Sequence, residues 1–319
     1  MINHTMRPDS SIEHPDGIAV SAMRTLDIGP VHAEMKNLLS ACRNQLDRLW
    51  PNTVIDPGGG RTMLRSVVAV TENTYRTVAF LCADVGDNPA RKLEYCLSVP
   101  PLARSILDTL YLTVYIFNDF TANVTRYRRA GLSEVALAYR RYREEYGGSA
   151  NWFAYLQERD AHLKAFAAEQ GMDISDASDI PTVPRWPTPG QMLGDGTLSI
   201  ERQEFLRYLY DWFYKDLSQD DHLSWPGLAR RGAALLSDAA QEKDRREILL
   251  KYRSDVVFKV ITMTLAILSE IESHLHYGEA QRLIFGWVLL ADYSLDAKEI
   301  YERRYKALLP IDPRTQRTA

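Results

Sequence analysis

The chain has 319 residues, 45% of them hydrophobic and 25% charged, with 38 Lys+Arg against 42 Asp+Glu and a formal net charge of −4. That composition excludes collagen-like, disordered and disulfide-scaffold classes. The near balance of charge argues against wholesale coating of nucleic acid or an anionic membrane, while leaving room for a local basic patch. The cysteines Cys42, Cys82 and Cys96 lack CxxC spacing and read as reduced thiols, not as a zinc site or a disulfide framework. The opening stretch, MINHTMRPDSSIEHPDG, has no apolar run of the signal-peptide kind. Apolar stretches from Ile106 to Phe117 and from Val256 to Leu268 are interrupted at Asp108 and Lys259, short of the ~18 residues a membrane helix needs. The expectation is a cytoplasmic protein with no membrane partner.

In chain order, residues 1–20 read as a disordered tail. Within 31–50, Val31, Met35, Leu38, Leu39, Cys42, Leu46 and Leu49 fall on one helical stripe, which Pro51 ends. The glycines 58–60 are a flexible break before a helix from about Arg61 to Val85, apolar at Leu64, Val67, Val68, Thr71, Tyr75, Val78, Phe80 and Leu81. Pro100 and Pro101 suit the first turn of a third helix, where a missing N–H matters least. It carries Leu102, Ile106, Leu107, Leu110, Val114 and Phe117. Helices follow at 120–146 and 151–170.

Residues 171–198 then change character, with Pro181, Pro184, Pro187, Pro189, Gly190, Gly194 and Gly196 among scattered aspartates. A structureless connection of this length is uncommon inside a compact domain; it reads as a lid, a mobile insertion or a plain surface loop. Helices resume at 199–222 and at 239–277, where Val257, Val260, Ile261, Thr264, Leu268, Ile271 and Leu275 form a stripe. A last helix is expected over 279–309, before a polar tail at 310–319. No strand pattern and no internal repeat is visible. The fold class is all-α: a bundle of about eight helices with a long Pro/Gly-rich loop, forming one large domain over 21–309 with 171–198 as an insertion.

No GxGxxG, Walker A, GxSxG or HExxH motif is present, so nucleotide-fold enzymes, α/β hydrolases and zincin proteases recede. A di-metal bundle would need two Glu-x-x-His elements and two further glutamates. Glu270 and His274 are four apart, as are Glu272 and His276, with no counterpart on a second helix. These read as solvated helix charges, and no metal or cofactor is expected. Trp152, Phe153, Tyr155, Trp212, Phe213, Phe285 and Trp287 sit at helical spacing and read mostly as core. His32 and His162 read as ordinary helix residues.

The most informative stretch is Tyr214-x-x-x-Ser218-x-x-x-His222, which stacks a phenol, a hydroxyl and an imidazole on one helical face. Asp220 and Asp221 precede the histidine and favour imidazolium. A second pair, Arg104 and Asp108, stands one turn apart on an otherwise apolar helix. Charges there are costly unless they meet partners on another helix or face water. A third candidate is the arginine set Arg126, Arg129, Arg140, Arg141 and Arg143, with Arg128 outside its arc. At ~100° per residue the five span a ~160° arc opposite Tyr127, Tyr139, Tyr142 and Tyr146. It reads as a phosphate-tracking surface or as a solvated face over packed tyrosines.

The order RSILDTLYL, then RWPTPGQML, then YLYDWFYKDLSQDDH resembles a widespread all-helical bacterial family, the domain of unknown function 5677 type. The likeness covers roughly residues 95–225. Its pattern falls on Arg104, Trp186, Tyr214, Ser218 and His222, with Asp108 where the family carries Glu, a shorter reach for a carboxylate. The resemblance implies an α-fold and a shared polar cluster, but no reaction.

Two readings of function follow. Histidine moves protons near neutral pH and arginine stabilises a phosphate or oxyanion. That chemistry suits a metal-independent, nucleic-acid-directed effector of the bacterial-defence ribonuclease type, with RNA or another nucleic acid as partner. His222 would be the acid/base, Arg104 the phosphate cation, Ser218, Asp108 and Tyr214 supporting groups, and Trp186 part of a lid. In the other reading the same residues form a satisfied network pinning helices in a binding or scaffold protein, whose partner is a protein or a second copy of the chain.

Overall fold

The computed structural model describes residues 28–49, 59–83, 93–221 and 242–309, together with 224, 225, 227–229 and 232. The expected tails at 1–20 and 310–319, the helix stop at Pro51 and the end of the second helix at Val85 lie outside the described residues. So does His222. Among the described residues every regular element is helical.

Helices α1 (Ile28–Leu49) and α2 (Gly60–Leu81) pair, burying Met35, Leu38, Leu39, Cys42 and Leu46 against Leu64, Val67, Val68, Tyr75 and Val78. Phe80 is the departure from the expected stripe: it is exposed. The N-terminal residue ahead of α2 is Gly59 at φ +69°, where any Cβ would run into the guanidinium of Arg128. The positive φ favours glycine there, and a side chain would also displace the Arg128 guanidinium.

After a 3-10 turn (Leu93–Ser98), the two prolines open α3 (Pro100–Ile116) as anticipated. Ala103, Ile106, Leu107, Leu110, Tyr111 and Val114 bury its inner side. Asp119 caps α4 (Phe120–Tyr146), which runs through Gly131 without a break. A short 3-10 turn leads to α5 (Phe153–Ala168).

The longest element, α9 (Glu242–Leu275), is the hub, packing on α3, α1, α2, the 3-10 turn and α10 (Ala280–Ala291). Periodicity predicts a stripe, but every residue from 260 to 272 is buried. A helix apolar all round is one enclosed by neighbours. Two expectations change as a result. Glu270 and Glu272 are not solvated helix charges: Glu270 accepts from Arg304 (Nε 2.5 Å, Nη2 3.0 Å) and from the Tyr305 hydroxyl at 3.0 Å. Glu272 accepts the backbone N–H groups of Gly278 and Glu279 at 3.2 and 3.3 Å.

The expected final helix over 279–309 is divided. Ser294 accepts the Ala297 N–H and starts α11 (Leu295–Ile300), which widens into a π turn (Tyr301–Tyr305) before α12 (Lys306–Leu308). That turn delivers Arg304 and Tyr305 to Glu270. The aromatics expected as core also divide. Phe213 and Trp287 are buried, with the indole N–H of Trp287 donating to Ser269 at 3.0 Å, whereas Phe153, Tyr155, Trp212 and Phe285 are exposed.

Residues 171–198 carry only a 3-10 turn (Ala177–Asp179) and one helical turn (Pro189–Met192), and they pack against the helices. Ala177 and Ile180 enter a second, smaller core with Leu132, Ala136, Tyr139, Leu156, Leu163 and Ala167. The Val183 N–H donates to Ser133, the Ala177 N–H donates to Asp160, and Arg143 Nη1 lies 2.6 Å from both oxygens of Asp176. That contact holds the Asp176 carboxyl down at about 2, and the Ser178 backbone N–H helps. The segment is a strap, tied across α4 and α5.

Candidate functional site

In the later part of the strap, Thr188 and Gln191 form a capping box that opens the single turn α6 (Pro189–Met192). Asp195 then accepts from the Tyr115 hydroxyl and from Thr197, which holds its carboxyl below the usual carboxylate range. These anchors fix Trp186 just upstream. Its indole packs edge-on against Tyr115 (5.2 Å) and Tyr127 (4.9 Å), with the Arg126 guanidinium 5.8 Å from the ring centre.

On the opposite side, Ser199 caps α7 (Ile200–Leu209), which passes through a π turn (Tyr210–Tyr214) into α8 (Lys215–Asp221). The wide turn is closed by the Lys215 N–H donating to the Tyr210 carbonyl. It stacks Tyr210 on Tyr214 at 4.8 Å and 17°. Tyr111 meets Tyr214 edge-on at 6.1 Å, and its hydroxyl donates to the Leu206 carbonyl at 2.7 Å. Burial, then the neighbouring Tyr214 and Tyr210, push the Tyr111 phenol up, so it stays a donor.

Arg104 sits between these walls. Its Nε donates to both oxygens of Asp108 at 3.1 and 3.2 Å, its Nη1 donates to the Ser218 hydroxyl, and its guanidinium carbon lies 3.2 Å from the centre of the Tyr214 ring. One cation is thus held by a carboxylate, a hydroxyl and a π face at once. The Arg104 side chain keeps 12% of its exposure and that of Asp108 48%. The pair therefore lies at the floor of an opening.

That opening is a pocket of about 570 Å³ lined by Arg104, Ser105, Asp108, Tyr111, Tyr127, Trp186, Thr188 and Tyr214, with Pro101, Pro187, Pro189 and Met192 among the apolar remainder. Arg104 and Asp108 are its charged lining residues. Four expected site residues, Arg104, Asp108, Trp186 and Tyr214, meet here, and Ser218 supports the floor through Arg104. His222 is one residue beyond the last described position of α8.

Tyr127 is the site residue that periodicity misses. It falls on the tyrosine side of α4, opposite the arginines, which reads as packing, yet the strap turns it into a pocket wall. The capping signature Thr188-x-x-Gln191 was there to be read as a fixed local turn beside Trp186.

The five expected arginines separate. Arg140 donates to the Ser178 carbonyl and the Thr182 hydroxyl, and Arg143 holds Asp176. Arg126 donates to the Tyr115 hydroxyl at 3.2 Å. Arg129 and Arg141 are exposed. Among the described residues no group of three or more His, Cys, Asp or Glu is placed to hold a metal ion, and no helix is long and apolar enough to cross a membrane. The cysteines are free and buried; burial pushes the Cys42 and Cys82 thiols up to about 12 and Cys96 up to about 11, so all three are unreactive. Compared with known proteins, the chain matches no family model, no curated protein and no solved structure.

Proposed function

We propose that the protein is a nucleic-acid-directed effector of the ribonuclease type that works without a metal. The pocket on Arg104 and Asp108 is its binding subsite, and His222 is its acid/base group. One observation carries the reading: side chains from three distant segments, around Arg104, Trp186 and Tyr214, converge on one open pocket with an ion pair at its floor and aromatic rings on its walls. A pocket of this size with a few convergent polar groups is the ordinary form of a ligand site. Aromatic walls beside polar groups suit unstacked bases of a single strand. His222 would take the proton of the attacking 2′-hydroxyl and return one to the leaving oxygen.

The test compares the parent chain with His222→Ala on mixed single-stranded RNA, and in a cell-growth assay, beside melting curves. Cleavage or toxicity lost at unchanged melting is the expected result. An inactive parent, or a fully active His222→Ala, overturns the proposal.

A second reading, a binding or scaffold protein in which the cluster is structural, is favoured by how completely Arg104 is engaged by Asp108, Ser218 and Tyr214. Under it, Arg104→Ala lowers the melting temperature by several degrees and removes no activity, because there is none to remove.

A further inference from the structure

We infer that the outer face of the strap over 180–188 is a docking surface for a protein domain that reads polyproline-II helices through an aromatic-lined groove flanked by a carboxylate. The inference stands apart from the ribonuclease reading, and a chain without nuclease activity would leave it standing.

The stretch IPTVPRWPTP sets proline at 181, 184, 187 and 189. Proline fixes its own φ near about −65° and pushes the residue before it out of the α region, toward extended or polyproline-II backbone. Those two rules act at every position from Ile180 to Thr188 except Thr182 and Arg185. At the two ends, Ile180 (φ −57°, ψ 123°) and Thr188 (φ −69°, ψ 160°) hold that backbone. No helix or turn interrupts 181–188.

A polyproline-II helix repeats every three residues, so the strap has three rows. Ile180, Val183 and Trp186 form the inward row. Ile180 is in the satellite core, the Val183 N–H donates to Ser133, and Trp186 packs on Tyr115 and Tyr127. That row turns the other two outward. Pro181 and Pro184 are exposed, about 9 Å apart at ~3.1 Å per residue. Thr182 and Arg185 make the third row and are exposed as well. The Arg185 side chain keeps 80% of its exposure, with a 3.8 Å contact to Glu134.

Pro-x-x-Pro is the unit that aromatic-lined grooves take, and an exposed guanidinium beside it selects a groove with a carboxylate at its edge. The strap also arrives in the bound shape. A free proline-rich peptide must still order its flanks, whereas Ser133, Arg140 and the Arg143–Asp176 pair already hold this run to α4. A nucleic-acid strand fits the face less well. Arg185 is the only charged residue within 180–188, and prolines give a base no ring to stack on.

The test is titration of the full chain with a panel of purified Src-homology-3 domains selective for Pro-x-x-Pro beside arginine. A synthetic peptide of residues 178–190 and single-stranded poly(U) are run in parallel. At least one domain is expected to bind the chain, and to bind it no more weakly than the peptide. Pro184→Ala should weaken that binding about tenfold or more. Arg185→Ala should weaken it several-fold and flatten its salt dependence, both at unchanged melting. Should Pro184→Ala loosen the strap, Arg185→Ala decides alone, because it truncates an exposed side chain and leaves the backbone as it is. No domain binding the chain overturns the inference, and so does a domain that binds the peptide but not the chain. Binding indifferent to both variants also overturns it. Poly(U) binding that Arg185→Ala weakens, with no domain bound, gives the arginine to phosphate and overturns it too.

Discussion

Arg304 and Glu270, at 2% and 1% exposure, place a full charge pair inside the hub of the bundle. Burial lowers the affinity of the guanidinium for its proton, but Glu270 more than offsets this, and Arg304 stays firmly charged. Removing one partner strands the other. Glu270→Ala leaves Arg304 with Glu201, 3.7 Å from its Nη1, as a longer contact, leaves the Tyr305 hydroxyl without this acceptor, and should cost about 3–5 kcal/mol in urea unfolding. Arg304→Met with Glu270→Leu should recover most of that loss. A single-variant loss under ~1 kcal/mol would mean that water reaches the pair.

His32 gives the residue scale its pH signature. Its Nδ1 shares a 2.6 Å hydrogen bond with the Tyr75 hydroxyl, and its Nε2 is buried with no partner among the described residues. Burial, with Lys36 adding to it, pulls the imidazole down from its ordinary 6.5 to about 4. Between those values the unfolded chain takes up a proton that the folded chain refuses. Stability therefore falls as pH drops from 6.5 toward 4 and levels off below, while above 6.5 the residue contributes no slope. The full shift corresponds to roughly 3 kcal/mol, reduced by the partial exposure of the ring to about 1–3. Urea midpoints at pH 7 and pH 4.5 should differ less for His32→Gln than for the parent. Parallel pH dependences would remove His32 as the cause. Reading His32 as an ordinary helix residue missed this, because its partner Tyr75 is 43 residues away.

At the level of elements, what was legible followed local rules. The double proline at 100–101, the span 120–146 and the irregular stretch 171–198 all came out where punctuation and periodicity put them. What was not legible depended on neighbours or on a single extra residue in a turn. The π turn at 210–214 contains no proline or glycine to announce it, and it sets the Tyr210–Tyr214 stack beside Arg104. Such turns often mark functional sites. The strap was visible as composition, but its anchors were not: Ser133, buried in mid-helix, holds the Val183 N–H at 3.1 Å. Ser133→Ala removes one hydrogen bond worth about 1 kcal/mol. Amide exchange at Val183 should rise roughly five- to tenfold, with the unfolding midpoint almost unmoved. Unchanged exchange would mean that Asp160, Arg140 and Arg143 hold the strap without it.

Across the whole molecule, length allowed one large domain or two. The described residues form a main core and a satellite one, with α4 running through both: Val124 belongs to the first, and Leu132, Ala136 and Tyr139 to the second. The satellite has few buried side chains, and α5 contributes only Leu156, Leu163 and Ala167 to it, whereas α9 is enclosed from 260 to 272. Regions with few buried apolar contacts open below the global unfolding free energy. Amides of α5 should therefore exchange through a smaller opening than those of central α9. Leu163→Ala should lower the α5 opening energy by about 2–5 kcal/mol and leave the α9 value in place. Equal losses in both helices would make the molecule one cooperative unit. The distinction reaches the site, because Trp186 and Tyr127 meet where the strap leaves the satellite core, while Arg104 and Asp108 stand on α3 in the main one. If the satellite opens first, the aromatic wall is lost before the charged floor. On the proposed function, binding of single-stranded RNA should then fade at urea concentrations that leave α9 protected.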